Sequence, residues 1–354
     1  MSSNDILGMR RLTPVAELLS LVIPVYDEQD VLPLLGQRLR PILEGLKASG
    51  FVSEYELLFV DDGSRDRTVE MLHQLGADWP ELQVLELRRN AGQQLAIAAG
   101  LREAGGDWVV TMDADLQDPP ELLPHMLDAA DARQVDVVYT CHADRDSDGR
   151  LKAAMASAYY RMVRRVAGVP VEPHVGDFRL MSRPVVTALN ALPERHRVHR
   201  LLLPWLGFPS VTLNHTRDKR PAGKTHYSIP RLLKVTADSV VSFTTAPLRW
   251  ATLIGLVTGV LSLLLAAGSA AAQVLGMSIP GWASLAVMIT FIGGVQLICT
   301  GILGEYIGRV FVEVQRRPAY DIARVTSPAA ERPHERRAPL AHRSEAEQQD
   351  VSGT

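Results

Sequence analysis

Cysteine is scarce in this chain of 354 residues, and basic residues are not in excess over acidic ones. Of its two cysteines, Cys141 and Cys299, only the second lies in a strongly apolar segment. Because one cysteine would lie in a soluble domain and the other in a membrane segment, no disulfide framework is expected, and the pair fits a reducing compartment. The formal net charge of −3 argues against a nucleic-acid-binding protein, which would usually be basic, so no nucleic-acid partner is expected.

Charged residues are missing altogether from a long stretch near the C-terminus. Residues 250–304 contain no Asp, Glu, Lys, Arg or His. Two apolar segments within this stretch, at about 251–275 and 282–303, each supply the ~20 residues that a membrane-spanning helix needs. A buried helical hairpin in a soluble core is the alternative, but two such lengths in tandem favour a membrane hairpin.

Basic residues flank this apolar pair and are missing from the loop within it. Arg249 precedes the first segment, and the residues after the second include Arg309, Arg316 and Arg317. The positive-inside rule then places both ends of the hairpin in the cytoplasm. Residues 1–11 lack the apolar core of a signal peptide. We therefore expect a multi-pass protein of the cell (inner) membrane, with both termini and the first 250 residues in the cytoplasm.

A dinucleotide-binding fingerprint is also missing, because no G-x-G-x-x-G follows the first apolar run. Short apolar runs instead alternate with amphipathic helical patterns, which is typical of βαβ units and predicts an α/β domain with a mostly parallel sheet. The predicted strands cover residues 19–25, 55–60, 83–86, 108–112 and 136–139. The predicted helices cover residues 31–48, 68–75, 93–104 and 120–132.

Polar side chains follow several of these strands, at the expected carboxyl edge of the sheet. Ligands of open α/β sheets bind outside the carboxyl ends of the strands, so a nucleotide-shaped cleft is expected there. The residues at these ends are Tyr26, Glu28, Asp61, Asp62, Asn90, Gly92, Asp113 and Asp115.

Asp113 and Asp115 carry the most specific chemistry at this edge. Two carboxylates one residue apart can both lean toward one divalent cation, and Mg²⁺ binds carboxylates together with substrate phosphates. The pattern thus predicts a metal ion that holds a diphosphate. A solvated acidic turn, favoured by Pro119 and Pro120, is the alternative.

Six motifs occur in order along the chain. They are VIPVYDE at 22–28, VDDGSRDRT at 60–68, NAGQ at 90–93, GD at 106–107, DADLQDPPE at 113–121 and GDFRL at 176–180. With the apolar hairpin, this set resembles the family 2 glycosyltransferases of the polyprenyl-phosphate group, which includes dolichol-phosphate mannose synthase and undecaprenyl-phosphate glucosyltransferases. The resemblance covers about residues 19–320.

The resemblance implies a GT-A fold, a Rossmann-like and mostly parallel α/β domain, followed by a two-helix transmembrane hairpin. The implied divisions are an N-terminal tail at 1–17, the transferase domain at 18–227, amphipathic juxtamembrane helices at 228–248, two transmembrane helices within 249–312 and a largely disordered cytoplasmic tail at 313–354. Ordinary core helices are the alternative for the juxtamembrane part.

The resemblance also implies roles for particular residues. Those expected to bind the nucleotide-sugar are Pro24, Tyr26, Glu28, Asp61, Asp62, Asp113, Arg217, Arg220 and Lys224. Those expected to hold Mg²⁺ or Mn²⁺ are Asp113, Asp115 and Gln117, and those expected to act in catalysis are Asp113, Asp115, Asp177 and Arg179. A local ion pair is the alternative for the last two, and a lipid-headgroup patch is the alternative for the basic loop around Lys224.

The acceptor phosphate has less definite candidates. Relatives usually carry an arginine near position 142, where this chain has His142. Arg145 is the first candidate to replace it, followed by Lys152 and Arg161.

The implied reaction is inverting transfer of a sugar from a nucleotide-sugar donor to a polyprenyl phosphate at the cytoplasmic membrane face. UDP-glucose is the first candidate donor, with GDP-mannose, UDP-N-acetylglucosamine and amino-arabinose donors open. A homo-oligomer, such as a tetramer, is expected. The alternatives are a processive polysaccharide synthase, a nucleotidyltransferase that releases pyrophosphate, and a non-enzymatic membrane scaffold.

Overall fold

The structure, a computed structural model, describes residues 13–142, 175–194, 198–215, 246–275, 281–315 and 317–326. In this part of the chain the strands are β1 (Ala16–Val25), β2 (Val52–Asp61), β3 (Leu82–Leu87), β4 (Trp108–Thr111), β5 (Val137–His142), β6 (Val175–Ser182), β7 (Ser210–His215) and β8 (Ile322–Thr326). The helices are α1 (Leu32–Ala48), α2 (Thr68–Ala77), α3 (Gln93–Glu103), α4 (Leu123–Arg133), α5 (Arg183–Ala191), α6 (His199–Leu206), α7 (Ala246–Val274) and α8 (Trp282–Val314).

These strands form one sheet in the order β7-β5-β6-β4-β1-β2-β3-β8. Strands β4, β1, β2 and β3 are parallel neighbours, so their carboxyl ends meet at one edge. Strand β6 runs antiparallel to both β4 and β5, and β7 is parallel to β5. The predicted GT-A-like α/β fold is confirmed, with a sheet that is mixed at its two sides.

The central strand β1 is covered on both faces, which explains its continuous apolar sequence. Alternate residues of a strand point to opposite faces. Leu21 and Ile23 accordingly join the core cluster that includes α1, whereas Val22 joins the cluster that includes α3. Helix α1 contributes apolar residues at helical spacing, namely Leu32, Leu35, Leu39, Ile42, Leu43 and Leu46.

Helix α3 lies unusually close to the sheet because of Gly100. A Cβ added at this glycine would lie 2.3 Å from Cγ1 of Val22 and 3.0 Å from Cγ2 of Val60. Only a residue without a side chain fits there without displacing the helix. Gly100 therefore sets the distance between α3 and the sheet, and with it the position of the first residues of α3.

Helices α7 and α8 are long, apolar and exposed. The stretches Leu248–Leu265 and Phe291–Val314 have mean hydropathies of 1.8 and 1.4, which suffice by length and composition to cross a membrane. Only 6% of the first stretch and none of the second is buried. A core hairpin of a soluble domain would bury these residues, so the structure favours the membrane hairpin over that alternative.

Strand β8 lies within the segment 313–354, which was predicted to be a largely disordered tail, so part of that segment is ordered. Helix α8 extends to Val314, and Ile322–Thr326 pairs antiparallel with β3. An ion pair of 2.6 Å between Nε of Arg88 and Oδ2 of Asp321 lies beside this pairing. The short strand escaped prediction because its hydrogen-bonding partner, β3, lies more than 200 residues earlier in the chain, which local composition cannot reveal.

Candidate active site

The predicted site forms where β1, β2 and β4 end side by side. Val25 pairs with Asp61, and Val22 pairs with Thr111, so these strands end at the same edge of the sheet. Strand β6 begins at this edge because it runs antiparallel to β4. Thr111 Oγ1 donates a hydrogen bond of 2.6 Å to the backbone oxygen of Asp177. This topology brings the end of β4, where Asp113 follows, beside Asp177.

Asp113 is the electrostatic centre of this edge. Burial is the main cause that raises its pKa to about 7, and the negative charges of Asp177, Asp115 and Asp118 raise it further. One hydrogen bond opposes this, because Gln93 Nε2 donates to Asp113 Oδ1 at 2.7 Å. The carboxylates grouped around Asp113 disfavour its ionised form in the absence of a cation, so this edge favours a bound cation.

The turn after Asp113 has an uncommon backbone. Leu116 adopts a φ of +56°, in the left-handed region, although it is a buried leucine. Within the turn, the backbone N–H of Gln117 donates to Oδ1 of Asp115 at 3.1 Å. Asp115 and Gln117 both remain partly exposed. The left-handed residue thus separates the two predicted metal ligands Asp115 and Gln117 in a tight turn.

Two contacts from other elements hold this turn in place. Arg38 of α1 makes a bidentate pair with Glu121, through Nε to Oε1 at 2.7 Å and Nη2 to Oε2 at 2.8 Å. His215, the last residue of β7, lies with Nε2 3.1 Å from Oδ1 of Asp118, and both side chains are buried. Neither contact was predicted, since both join residues far apart in the sequence.

The donor atoms at this edge fit a divalent cation that is shared with a substrate. Among the described residues, no group of three or more His, Cys, Asp or Glu side chains is arranged to hold a metal ion alone. Asp113 and Asp115 offer carboxylate oxygens, which are the ligands that hard cations prefer. Waters and substrate phosphate oxygens are the usual further ligands of such an ion, so this donor set is compatible with a cation shared with a phosphate-bearing substrate.

Asp61 and Asp62 hold two loops beside the turn that carries Asp115 and Gln117. Asp61 accepts hydrogen bonds from the backbone N–H groups of Gly63 at 3.1 Å and Ser64 at 3.2 Å. Asp62 accepts from Ala91 at 2.6 Å and Gly92 at 2.8 Å, one on each oxygen. Burial raises the pKa of both carboxyls. Through its two hydrogen bonds, the Asp62 carboxylate fixes the loop before α3. The nucleotide contacts expected of Asp61 and Asp62 stay predictions.

The motif at 22–28 is hydrogen-bonded to the loop after β2. Asp27, at a φ of +52°, donates its backbone N–H to Ser64 Oγ at 3.0 Å and accepts from Arg65 N at 2.7 Å. The Glu28 backbone N–H donates to Thr68 Oγ1 at 2.9 Å. Two further predicted nucleotide contacts lie nearby: Pro24 is buried within β1, and Tyr26 is 40% exposed at its end.

Asp177 is held by partners on both of its oxygens. Arg179 Nη2 donates to Oδ1, and Gln94 Nε2 donates to Oδ2 at 3.2 Å. Burial raises the pKa of Asp177, but the positive charges of Arg179, Arg200 and His199 together with the Gln94 bond hold it below its ordinary value. The ion pair considered for Asp177 and Arg179 is therefore present, directly beside Asp113.

Several predicted residues lie outside the described residues. These are Arg145, Lys152 and Arg161 for the acceptor phosphate, Arg217, Arg220 and Lys224 for the nucleotide-sugar, and most of the amphipathic segment 228–248. Other residues of the site were missed by sequence reasoning, namely Gln93, Gln94, Asp118, His199 and His215. The position of both glutamines after the Asn90-Ala91-Gly92 motif, at the start of a helix, is the signal that could have identified them.

Sequence comparison agrees with this architecture. Residues 20–189 match the sequence model described as Glycosyl transferase family 2. A prophage bactoprenol glucosyl transferase homolog of Escherichia coli is 37% identical over 308 residues, which cover 87% of this chain and 99% of that protein. An SfII prophage-derived bactoprenol glucosyl transferase of Shigella flexneri is 39% identical over 305 residues, or 86% of this chain and 97% of that protein.

Structure comparison gives a more distant similarity. Glucosyl-3-phosphoglycerate synthase of Mycobacterium tuberculosis, solved with Mn²⁺, UDP-glucose and phosphoglyceric acid, has a TM-score of 0.42 and 18% identity. The match covers 64% of this chain and 78% of that chain, and it is too weak to bear on the site. The family assignment instead depends on the sequence relatives, whose identity extends over nearly their whole length. The chain belongs to glycosyltransferase family 2.

Proposed function

We propose that this protein transfers a sugar, with glucose as the first candidate, from a nucleotide-sugar to a polyprenyl phosphate at the cytoplasmic face of the membrane. The observation that carries the proposal is the convergence of Asp113, Asp115 and Asp177 at the carboxyl edge of the sheet. These acids occur in a chain with two candidate membrane helices. Relatives named bactoprenol glucosyl transferase align with 86–87% of it, which supports a polyprenyl acceptor and glucose as donor sugar.

The metal expected at this site is Mg²⁺ or Mn²⁺, held by Asp113 and Asp115 with Gln117. When bound, such an ion neutralises the negative charge that develops on a departing nucleoside diphosphate. The like charges around Asp113 fit this role, because they disfavour its ionised form until a cation is present. The basic residues Arg217, Arg220 and Lys224 are proposed to contact the same diphosphate.

The acceptor needs no strong general base. A phosphate monoester is already anionic at neutral pH, so its oxygen can attack the anomeric carbon in line and displace the nucleoside diphosphate with inversion. Asp177, anionic through its contacts with Arg179 and Gln94, would place a fixed negative charge beside the reacting sugar. Such a charge favours the positive character that the anomeric carbon develops in the transition state. Arg145, Lys152 and Arg161 remain the proposed contacts of the acceptor phosphate.

The hairpin would keep the catalytic domain at the lipid acceptor. Helices α7 and α8 span the membrane in this proposal, with Arg249 and Arg309 at their cytoplasmic ends. The amphipathic segment 228–248 would then lie in the headgroup layer. A homo-oligomer such as a tetramer is part of the same proposal, and the mass of the purified protein in detergent, measured by light scattering, tests it.

A donor screen tests the proposed function. The full-length protein in detergent is mixed with undecaprenyl phosphate, Mg²⁺ or Mn²⁺ and one nucleotide-sugar at a time. We expect nucleoside diphosphate release that requires both lipid and metal, and that is fastest with UDP-glucose. Release of pyrophosphate would identify a nucleotidyltransferase. Addition of several sugars to each lipid would identify a polysaccharide synthase. If a folded protein released nothing with any donor, the scaffold would be favoured.

A further inference from the structure

We propose that Gln94 is a positioning residue, which orients the Asp177 carboxylate for sugar transfer by tying it to helix α6. This inference rests on the proposed function, because it assigns a role within the same site. Gln94 is the second residue of α3, and it is partly buried. Its side chain contacts one of the acids of the site at one end and the start of α6 at the other.

The hydrogen bonds of Gln94 specify one orientation of its amide. Gln94 Oε1 accepts from the backbone N–H of His199 at 3.2 Å and lies 3.0 Å from His199 Nδ1. A carbonyl oxygen only accepts and an amide nitrogen only donates. The backbone donor therefore fixes Oε1 toward α6, which leaves Nε2 to donate to Asp177 Oδ2 at 3.2 Å. The same logic requires a hydrogen on Nδ1 of His199.

The Gln94 bond complements the ion pair on the other oxygen of Asp177. Arg179 donates to Oδ1 from a side chain that is 2% exposed, so its position is fixed by packing. A carboxylate bound on one oxygen can still rotate about its χ2 angle, whereas one bound on both oxygens has a single orientation. Gln94 thus removes the remaining freedom of Asp177.

The backbone that carries Gln94 is itself firmly held. Asp62 binds the N–H groups of Ala91 and Gly92 just before α3, and Gly100 seats the helix against Val22. Supports of this kind are needed where a reacting group must keep its position within a fraction of an ångström.

Replacement of Gln94 by methionine is the direct test. Gln94→Met keeps the length of the side chain and removes both the donor and the acceptor. We expect kcat to fall roughly tenfold, because small misplacements of catalytic groups have effects of this order, while the donor KM stays within about twofold. Gln94→Glu, which would place a second carboxylate against Asp177, is expected to lose more activity than Gln94→Met.

The matched control is Gln74→Met, the same chemical change on α2. Gln74 is exposed, and its Nε2 donates to Glu70 at 3.3 Å on the same helix. Gln74→Met should leave kcat, KM and the Tm in detergent unchanged.

Two results would overturn the inference. Unchanged kcat in both Gln94 variants would show that Asp177 needs no such support. A loss of activity that follows a large fall in Tm, or that resides in KM alone, would show a merely structural or donor-binding role. Wild-type protein without lipid-dependent turnover would instead overturn the proposed function and the inference with it, so the two failures are distinguishable.

Discussion

The imidazole of His215 and the carboxylate of Asp118 meet at 3.1 Å, although 97 residues separate them in the chain. Their side chains are 4% and 7% exposed. This contact joins the end of β7 to the turn that carries Asp115 and Gln117. A buried carboxylate that loses such a partner loses part of the compensation for its desolvation, so the contact stabilises the turn that carries the proposed metal ligands.

Replacement of His215 should therefore affect both stability and metal binding. For His215→Phe we expect a loss of about 2 kcal/mol of unfolding free energy, since Asp118 is left buried without this partner. Affinity for Mn²⁺ should fall as well, because the turn becomes less ordered. Thermal unfolding in detergent, with and without Mn²⁺, measures both effects.

His73→Phe is the matched control for this prediction. His73 makes a similar contact with Glu86, at 3.2 Å, but on α2 and with more exposed side chains. His73→Phe should cost less stability than His215→Phe and should leave the affinity for Mn²⁺ unchanged. Equal effects of the two variants on Mn²⁺ affinity would contradict the role given to His215.

Asp113→Asn should remove turnover without unfolding the protein. The amide keeps the shape of the side chain but cannot offer an anionic oxygen to a cation, so activity should fall by roughly 100-fold or more. Stability of the metal-free protein should not fall, because one of several crowded negative charges is removed. Lipid-dependent nucleoside diphosphate release and Tm are the measurements, and activity of Asp113→Asn that stays close to that of the wild type would argue against Asp113 as a ligand.

The raised pKa of Asp113 predicts a pH dependence in the absence of metal. The folded-state pKa is about 7, whereas an unfolded chain has about 3.9 for this carboxyl. The contribution of this group to stability is therefore fully present below the unfolded value and is lost as pH rises through about 7. The metal-free protein should have a lower Tm at pH 8 than Asp113→Asn, with the difference closing toward pH 5.

Added Mn²⁺ should reverse this loss at high pH. A cation binds the ionised carboxylate, so its stabilising effect should be larger at pH 8 than at pH 5, where a proton competes for Asp113. Scans of Tm against pH, with Mn²⁺ and with a chelator, test this. Equal stabilisation by Mn²⁺ at both pH values would contradict a site built around Asp113.

Gly100 should tolerate no side chain, because α3 lies against β1 there. Gly100→Ala places a methyl group 2.3 Å from Cγ1 of Val22, so the helix must shift, at a cost of about 1–3 kcal/mol. The shift would also move Gln93 and Gln94, and activity should fall with stability.

Gly36→Ala in α1 is the control for the close approach of α3. Its added Cβ would meet only the flexible end of Leu75, at 3.2 Å. The gain in helix propensity should offset that contact and keep the stability within about 1 kcal/mol of wild type. If Gly36→Ala were as harmful as Gly100→Ala, the packing explanation would be wrong.

Sequence reasoning recovered the elements whose causes are local. The first five strands, the acids at their ends and the two long apolar helices are properties of neighbouring residues, and each was found within about five positions of its observed boundary, apart from the C-terminal end of α8. Strands β6 and β7 and helices α5 and α6 were not predicted. The GT-A-like α/β fold follows from their alternation.

The remaining features depend on contacts between distant parts of the chain. Strand β6 enters the sheet antiparallel beside β4 and so places Asp177 near Asp113, which no local pattern encodes. Similarly, Asp62 has the same residue type as a ligand-binding acid, yet both of its oxygens bind backbone amides of another loop. Which acids face a substrate and which support a loop is thus decided by tertiary structure.

Sugar transfer to a lipid phosphate is tested most directly by the products of one reaction. Full-length protein in detergent is incubated with UDP-glucose, undecaprenyl phosphate and Mn²⁺, and both UDP and the glucosylated lipid phosphate are quantified, with Asp113→Asn alongside. We expect UDP and monoglucosylated lipid phosphate in equal amounts from the wild type, and neither from the variant. UDP release that is unaffected by the lipid, or by loss of Asp113, would contradict this expectation.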